Sequence, residues 1–335
     1  MAVTPQTNTT LEVIAEALLA HDNYVICGHV GPDGDCLGSQ LALAAALRQC
    51  GKQVTCVLAR NEPIDGTLTF LPGAEAMVPA ALYEGPCDSF VAVDVPTPER
   101  LGDGAPLQAR ASFTVTIDHH GVPQAMSQLS YTDPDVASTT VLVWELAGLM
   151  GCDRDRTIAT CAYTGLMTDT GRFQYQNADA AAFAAAAAMV AAGADPAAIS
   201  RQFYQNRSRA SVALEAVAIE HMAFSPDGRA VMSWLSLDDF ACCGAVKSDA
   251  EPLIDVLRSI HGVSVACMLR EQPTEVRGSL RAKDDTDVAA IAREFDGGGH
   301  RAAAGFTIHE PFSQAVALVA QRLGIPNPLV GEGRL

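Results

Sequence analysis

Two rhythms of apolar residues alternate along the first part of the chain. Short, nearly unbroken apolar runs occupy residues 24–29 (YVICGH), 53–59 (QVTCVLA), 89–95 (SFVAVDV) and 112–117 (SFTVTI). Apolarity without gaps over so few residues fits strands covered on both faces, as in a parallel sheet. Longer stretches at 11–20, 37–50, 138–150, 154–167 and 179–192 predict helices. Asp195-Pro196 opens another, with an Asp cap and Pro in the first turn, and 208–222 one more. Alternating strand and helix predict a doubly wound α/β domain with a mainly parallel sheet. The rhythm changes at Ser225-Pro226-Asp227-Gly228, a turn signal. Beyond it, 230–237, 263–270, 275–282 and 305–309 read as strands, and 287–295 and 312–323 as helices. A smaller α/β domain is therefore expected. The boundaries read from this pattern are a first domain over 1–205, a connecting helix over 206–226 and a second domain over 227–328.

Composition agrees with two buried cores: the chain has 335 residues, 49% of them hydrophobic and only 18% charged. The formal net charge of −17 argues against a basic track for long nucleic acid. A short anion is still admissible, because bound cations can dominate a local field. The 10 cysteines form no C-x-x-C pair and lie mostly in apolar runs, so reduced thiols and a reducing cytoplasm are expected. Residues 1–10 lack a basic start followed by an apolar core, so no signal peptide is expected. The most apolar run, 180–192, is short and mostly Ala, which reads as a packed helix and not a membrane span.

The chemistry falls where strands end. His29, Asp33 and Asp35 follow the first run within seven residues; Asp94 ends the third; Asp118, His119 and His120 end the fourth; Asp169 follows a helix in Thr-Asp-Thr-Gly. In open α/β sheets ligands bind beyond the carboxyl ends of the strands, so these groups are expected to converge. Converging carboxylates repel one another unless cations sit between them. Carboxylate with imidazole suits Mn²⁺ or Mg²⁺, with Zn²⁺, Fe²⁺ and Co²⁺ as further candidates. The second domain carries Arg270, Arg277, Arg281, Lys283, Arg293 and Arg301 together with Gly297-Gly298-Gly299-His300. Successive glycines let backbone N–H groups approach an anion, and a planar Arg can hold a phosphate through two hydrogen bonds.

Taken together, HVGPDGDCLGS, VAVD, IDHH and TDTG resemble the four motifs of the DHH phosphoesterase superfamily, and GGGH resembles the signature of its DHH-associated C-terminal domain. The resemblance runs over roughly residues 23–307. YTGLMTDTGRFQYQN, AAGADP and QFYQNRS place it nearest the nano-RNase and pAp-phosphatase type. It implies an active site in a cleft between the domains. It implies one Mn²⁺ held by His29, Asp33 and Asp94 and a second by Asp35, Asp94, His119 and Asp169, with Mg²⁺ or Co²⁺ as substitutes. His120 would face the substrate phosphate and Asp118 would orient the histidines. Arg281, Gly298, Gly299, His300, Arg301 and Ser138 would meet the substrate; Arg301 stands where relatives often have Lys. The implied substrates are RNA or DNA oligonucleotides of two to four nucleotides and pAp, released as 5′-mononucleotides. The implied enzyme is cytoplasmic, binds no membrane and is compatible with a homodimer.

Four other readings stand beside this one. A specialist for linear dinucleotides such as pApA or pGpG shares every motif and differs only in preference. An inorganic pyrophosphatase of the same superfamily would lack GGGH, and a long-strand exonuclease would need a basic channel. A sensor without catalysis would have lost Asp94, His119 or Asp169, and all three are present.

Overall fold

The structure, a computed structural model, describes residues 7–121 and 124–329, and the chain divides into two units between Asn206 and Arg207. In the first unit the Thr10 hydroxyl accepts from the Val13 amide and starts α1 (Leu11–Ala20). Then come β1 (Tyr24–Cys27), α2 (Gly34–Gln49), β2 (Val54–Leu58), β3 (Val78–Pro79) and β4 (Ser89–Val93). A 3₁₀ segment over Pro98–Gly104 leads to α3 (Ala105–Arg110), β5 (Phe113–Asp118) and β6 (Leu129–Thr132). The unit closes with α4 (Thr139–Leu149), α5 (Arg156–Asp169), α6 (Ala180–Ala191) and α7 (Pro196–Tyr204).

The six strands run in the order β3-β2-β1-β4-β5-β6, and every pairing is parallel. Both faces are apolar because successive side chains go to opposite sides. Tyr24, Ile26, Val91 and Val93 join the core formed with α1, α2, α4 and α5. Val25, Cys27, Phe90 and Ala92 join a second core with Leu101 and Leu107 on the other face. The unbroken apolar runs therefore mark two-sided burial. The strand order reverses between β1 and β4, which in such sheets opens a crevice at the carboxyl edge.

The second unit contains α8 (Arg209–Glu220), β7 (Ala223–Phe224), β8 (Ala230–Leu235), α9 (Leu237–Cys243), α10 (Leu253–Arg258), β9 (Val265–Glu271), β10 (Val276–Ala282), α11 (Val288–Arg293), β11 (Gly298–His300), β12 (Ala303–Ile308) and α12 (Phe312–Arg322). Its sheet runs β11-β12-β10-β9-β8-β7, with β8 and β9 parallel and the other pairs antiparallel. Leu214 and Ala218 of α8, in the stretch expected to connect two domains, pack into this unit's own core beside Leu253 and Leu257. Three short helices (α3, α9, α10) and β6, β7 and β11 were not expected from the pattern. No single described helix is long and apolar enough to cross a membrane.

Candidate metal centre

The first donor loop exists because β1 and α2 pack without room for a side chain at the join. A Cβ on Gly28 would lie 2.1 Å from the Cys36 Sγ, so only glycine lets the strand pass over the start of the helix. The chain then turns through Gly31 (φ +64) into Asp33, whose Oδ1 accepts from the amides of Asp35 (3.1 Å) and Cys36 (3.0 Å) and caps α2. His29 lies just before this turn, and Asp35 lies buried in the first turn of the helix. Asp94 follows β4 directly in a left-handed conformation (φ 58), uncommon for a non-glycine residue and characteristic of functional sites. Asp118 ends β5, with His119 and His120 next, and Asp169 is the last residue of α5.

These elements bring two imidazoles and four carboxylates face to face. His29 Nε2 is 3.8 Å from Asp33 Oδ1 and 3.5 Å from Asp94 Oδ2. His119 Nε2 is 3.7 Å from Asp94 Oδ1, 3.8 Å from Asp35 Oδ2 and 3.6 Å from Asp169 Oδ2. The two oxygens of Asp94 thus face different histidines. All these separations exceed hydrogen-bond length. They approach the roughly 3–3.5 Å expected between donors that share an ion bonded at about 2.1 Å. The ring orientations agree, since His119 Nδ1 lies 3.2 Å from the Val136 carbonyl and His29 Nδ1 3.0 Å from the Val30 carbonyl. A proton on Nδ1 donated to either carbonyl leaves Nε2 as the donor nitrogen toward the carboxylates.

Two features that no sequence motif announced support this cluster. The first is the start of α4. The Thr139 and Thr140 amides donate to Asp35 Oδ2 and Oδ1 at 2.7 and 2.9 Å, and the Thr139 hydroxyl donates to Asp94 Oδ1 at 2.9 Å. Ser138, at the cap position, makes no side-chain cap bond, so a carboxylate from α2 satisfies the helix amides instead. Ser138 itself is fully buried, its hydroxyl 2.8 Å from that of Thr140. The second is Arg100, whose Nη2 lies 3.0 Å from His29 Nδ1; a guanidinium N–H only donates, so this contact is an alternative to donation from Nδ1 to the Val30 carbonyl. Cys36 also lies close, its Sγ within 4.8 Å of donor atoms of His29 and Asp94, while accepting from the His29 amide at 3.2 Å. The run of Ser-Thr-Thr before an apolar helix was the one signal that could have revealed the first feature.

Electrostatics point to a cation. Burial, then the charges of Asp94 and Asp169, push the Asp35 carboxyl well above the usual carboxylate range. Burial likewise raises Asp169 to about 6. Burial by itself would lower the His29 and His119 rings, but the surrounding carboxylates outweigh it and hold both up at about 10. A divalent ion in place of those protons would relieve the same repulsion. The donor set of carboxylate and imidazole, self-repelling and buried except at Asp33 and in part Asp169, fits hard or borderline divalent ions.

His120 differs from its neighbour. Its Nδ1 is 2.7 Å from Asp118 Oδ1, which also accepts from the backbone amides of His119 (2.8 Å) and His120 (3.2 Å). Asp118 thereby holds the His120 ring and the backbone of both histidines. Despite burial, Asp118 holds the His120 ring above its ordinary value.

In the second unit, Arg281 lies on β10 with Nη1 donating to the Leu280 carbonyl at 3.0 Å. Its buried Nε has no hydrogen-bond partner among the described residues. Arg301 is exposed and donates through Nε to the Asp285 carbonyl at 3.0 Å. The glycines expected to form a loop instead pair as β11, Gly298 with Gly305 and Gly299 with Ala304. Gly299 has φ +140, and a Cβ there would lie 2.6 Å from the Ala303 carbonyl. The backbone of His300 ends this strand; its side chain lies outside the described residues.

The family model "DHH family, N-terminal domain" matches residues 23–166, and the DHHA1 domain model matches residues 242–324. The bifunctional oligoribonuclease and PAP phosphatase NrnA of Thermus thermophilus is 31% identical over 299 residues, covering 89% of this chain and 88% of that protein. The Bacillus subtilis protein of the same name is 26% identical over 294 residues, covering 86% and 90%. Among solved structures, an exopolyphosphatase-related protein from Bacteroides fragilis aligns with a TM-score of 0.86 at 27% identity, over 99% of this chain and 100% of that one.

Proposed function

The chain belongs to the DHH family and is a phosphoric ester hydrolase, and from that footing we propose that it cleaves very short oligonucleotides to 5′-mononucleotides and converts pAp to AMP. The observation that carries the reading is Asp94, whose Oδ2 lies 3.5 Å from His29 Nε2 and whose Oδ1 lies 3.7 Å from His119 Nε2. One carboxylate facing two imidazoles supports a bridging ligand between two cations, Mn²⁺ foremost. His29, Asp33 and Asp94 would hold one ion; Asp35, Asp94, His119 and Asp169 would hold the other. When bound, such a pair neutralises phosphoryl oxygens and lowers the pKa of water.

The chain's own groups supply the rest. The α4 amides keep the Asp35 carboxylate in one orientation, and the Thr139 hydroxyl does so for Asp94. Asp118 holds Nδ1 of His120, which makes Nε2 the nitrogen that passes a proton to the leaving oxygen. Arg281, the Gly298-Gly299 backbone, His300 and Arg301 grip the substrate's second phosphate, the one not cleaved.

The test is a substrate panel with Mn²⁺ on wild type and Arg281→Ala, spanning pAp, pApA, pGpG and bis-p-nitrophenyl phosphate. Wild type turns over all four. Arg281→Ala loses about tenfold to a hundredfold on the three nucleotides, the range for a charge-assisted hydrogen bond. The variant keeps its rate on the synthetic diester, which has no second phosphate. Equal losses on every substrate would contradict the grip, and no turnover of any nucleotide would contradict the function.

A further inference from the structure

We infer that Cys50 and Cys152 are a disulfide-forming pair that cross-links the metal-binding unit when its surroundings become oxidising. Their sulfurs lie 3.4 Å apart, although the residues are separated by 102 positions. Both are half-buried, so a small thiol reagent can reach them. No other pair of cysteine sulfurs among the described residues lies within hydrogen-bond reach.

Backbone geometry has already brought the two together. Cys50 is the last residue before Gly51 (φ +77), where α2 ends, and the Lys52 amide donates back to the Leu47 carbonyl at 3.0 Å. Cys152 directly follows Gly151 (φ +73), where α4 ends, and its own amide donates to the Ala147 carbonyl at 3.0 Å. Each cysteine is therefore held in a left-handed helix-ending motif with fixed backbone. The Gln49 side chain ties the same corner, donating to the Asp153 carbonyl at 2.9 Å. Closing to a bond of about 2.05 Å moves the sulfurs together by roughly 1.4 Å, within the reach of side-chain rotation.

The reaction is an exchange with a low-molecular-weight disulfide such as oxidised glutathione. The Cys152 thiol is pushed up to about 12, first by burial and then by its contact with Cys50, and it donates to the Ala46 carbonyl at 3.3 Å. Cys152 is thus the slower nucleophile. Cys50 gives its proton to solvent and attacks the reagent, releasing one thiolate. Cys152 then loses its proton and attacks the Cys50 sulfur, releasing the second. Two protein thiols are oxidised to one disulfide, and one reagent disulfide is reduced to two thiols.

The cross-link acts on stability, not on the chemistry. It sits at the far end of α2 from Asp35 and precedes α5, whose last residue is Asp169. Sixteen residues of α2 separate it from the donors by about 24 Å. This inference does not depend on which ester is cleaved.

The experiment uses the full chain with Cys242→Ser and Cys243→Ser, which removes the adjacent cysteines of the second unit. The protein is equilibrated with oxidised glutathione, then measured by intact mass, peptide mapping and thermal unfolding. Mass should fall by about 2 Da, with one peptide joining Cys50 to Cys152. The melting temperature of the first unit should rise by about 10 °C and return on adding dithiothreitol. Metal content should stay as in the reduced protein, and a further Cys152→Ala change should abolish the rise. Glutathione adducts without a bridge, or a bridge that leaves the melting temperature unchanged, would overturn the inference.

Discussion

At the scale of single residues, Asp94 concentrates the site's demands. Its left-handed backbone costs roughly 1–2 kcal/mol and is held by its amide donating to the Ile117 carbonyl at 3.0 Å. Asp94→Ala should lose both proposed cations together and lower hydrolysis by several orders of magnitude, because a metal pair held there would supply the reactive water. The fold should persist, since a buried carboxylate among like charges is removed. Metal content and turnover of the purified variant check this; two retained cations with near-normal turnover would remove Asp94 from the bridging position. The histidines give a second expectation, on pH. In the metal-free protein His29 and His119 titrate at about 10, above the ordinary value of about 6.5 in an unfolded chain. Their protonated rings therefore stabilise the fold fully below about 6.5, and that stability is lost as pH rises through about 10. A cation taking those positions must displace the protons. Between about pH 6.5 and 10, metal uptake should release protons and apparent affinity should rise with pH. Calorimetry in buffers of different ionisation enthalpy measures the release, and uptake without protons would contradict the geometry.

At the scale of elements, α2, α4 and α5 meet through glycine. A Cβ on Gly38 would lie 2.5 Å from the Cys161 carbonyl; one on Gly165 would lie 2.3 Å from the Thr140 Cγ2 and 2.7 Å from Asp35 Oδ1. Gly38→Ala and Gly165→Ala should each destabilise the unit by about 1–3 kcal/mol through overpacking, read by denaturant unfolding. Only Gly165→Ala should also lower metal affinity, by about tenfold to a hundredfold, because it displaces a donor's support. Equal affinity loss in both would mean that helix spacing, not Asp35, is what metal binding senses. The same elements show what the sequence makes legible. His29, Asp94 and His119 could be read because each ends a strand whose two-sided burial leaves an unbroken apolar run. The support from α4 left only the Ser-Thr-Thr run as a trace, because it comes mainly from the amides of Thr139 and Thr140, and every residue but proline has one. Arg100 was equally hidden, since it reaches His29 from a 3₁₀ segment with no periodicity. The start of α2 at Gly34, ahead of the expected 37, follows from Asp33 as its cap. β11 read as a loop because glycine is poor in strands. It pairs all the same, and at Gly299 only bare backbone fits against β12, since a Cβ there would lie 2.6 Å from the Ala303 carbonyl and 2.7 Å from the Ala304 Cα.

At the scale of the whole molecule, the net charge of −17 sets how substrate length should matter. With so acidic a chain, a longer RNA is expected to gain little from its extra phosphates and gives up more freedom on binding. The kcat/KM should be highest at about two to four nucleotides and fall clearly by about a dozen. Time courses on 5′-labelled RNA of graded length measure this, and a twenty-four-mer degraded as fast as a dimer would favour a processive nuclease. The parallel first sheet carries one more consequence. Its neighbours in space are distant in sequence: Tyr24 pairs with Ser89, and Ser89 with Phe113. The proposed cation donors come from residues 29, 33, 35, 94, 119 and 169, so the full set would meet only after these long loops have closed, late on the route from unfolded chain to native state. A cation therefore has little to bind until the unit is nearly complete. Bound there, it would do little to hasten assembly but would deepen the finished state, and so would act as a brake on unfolding.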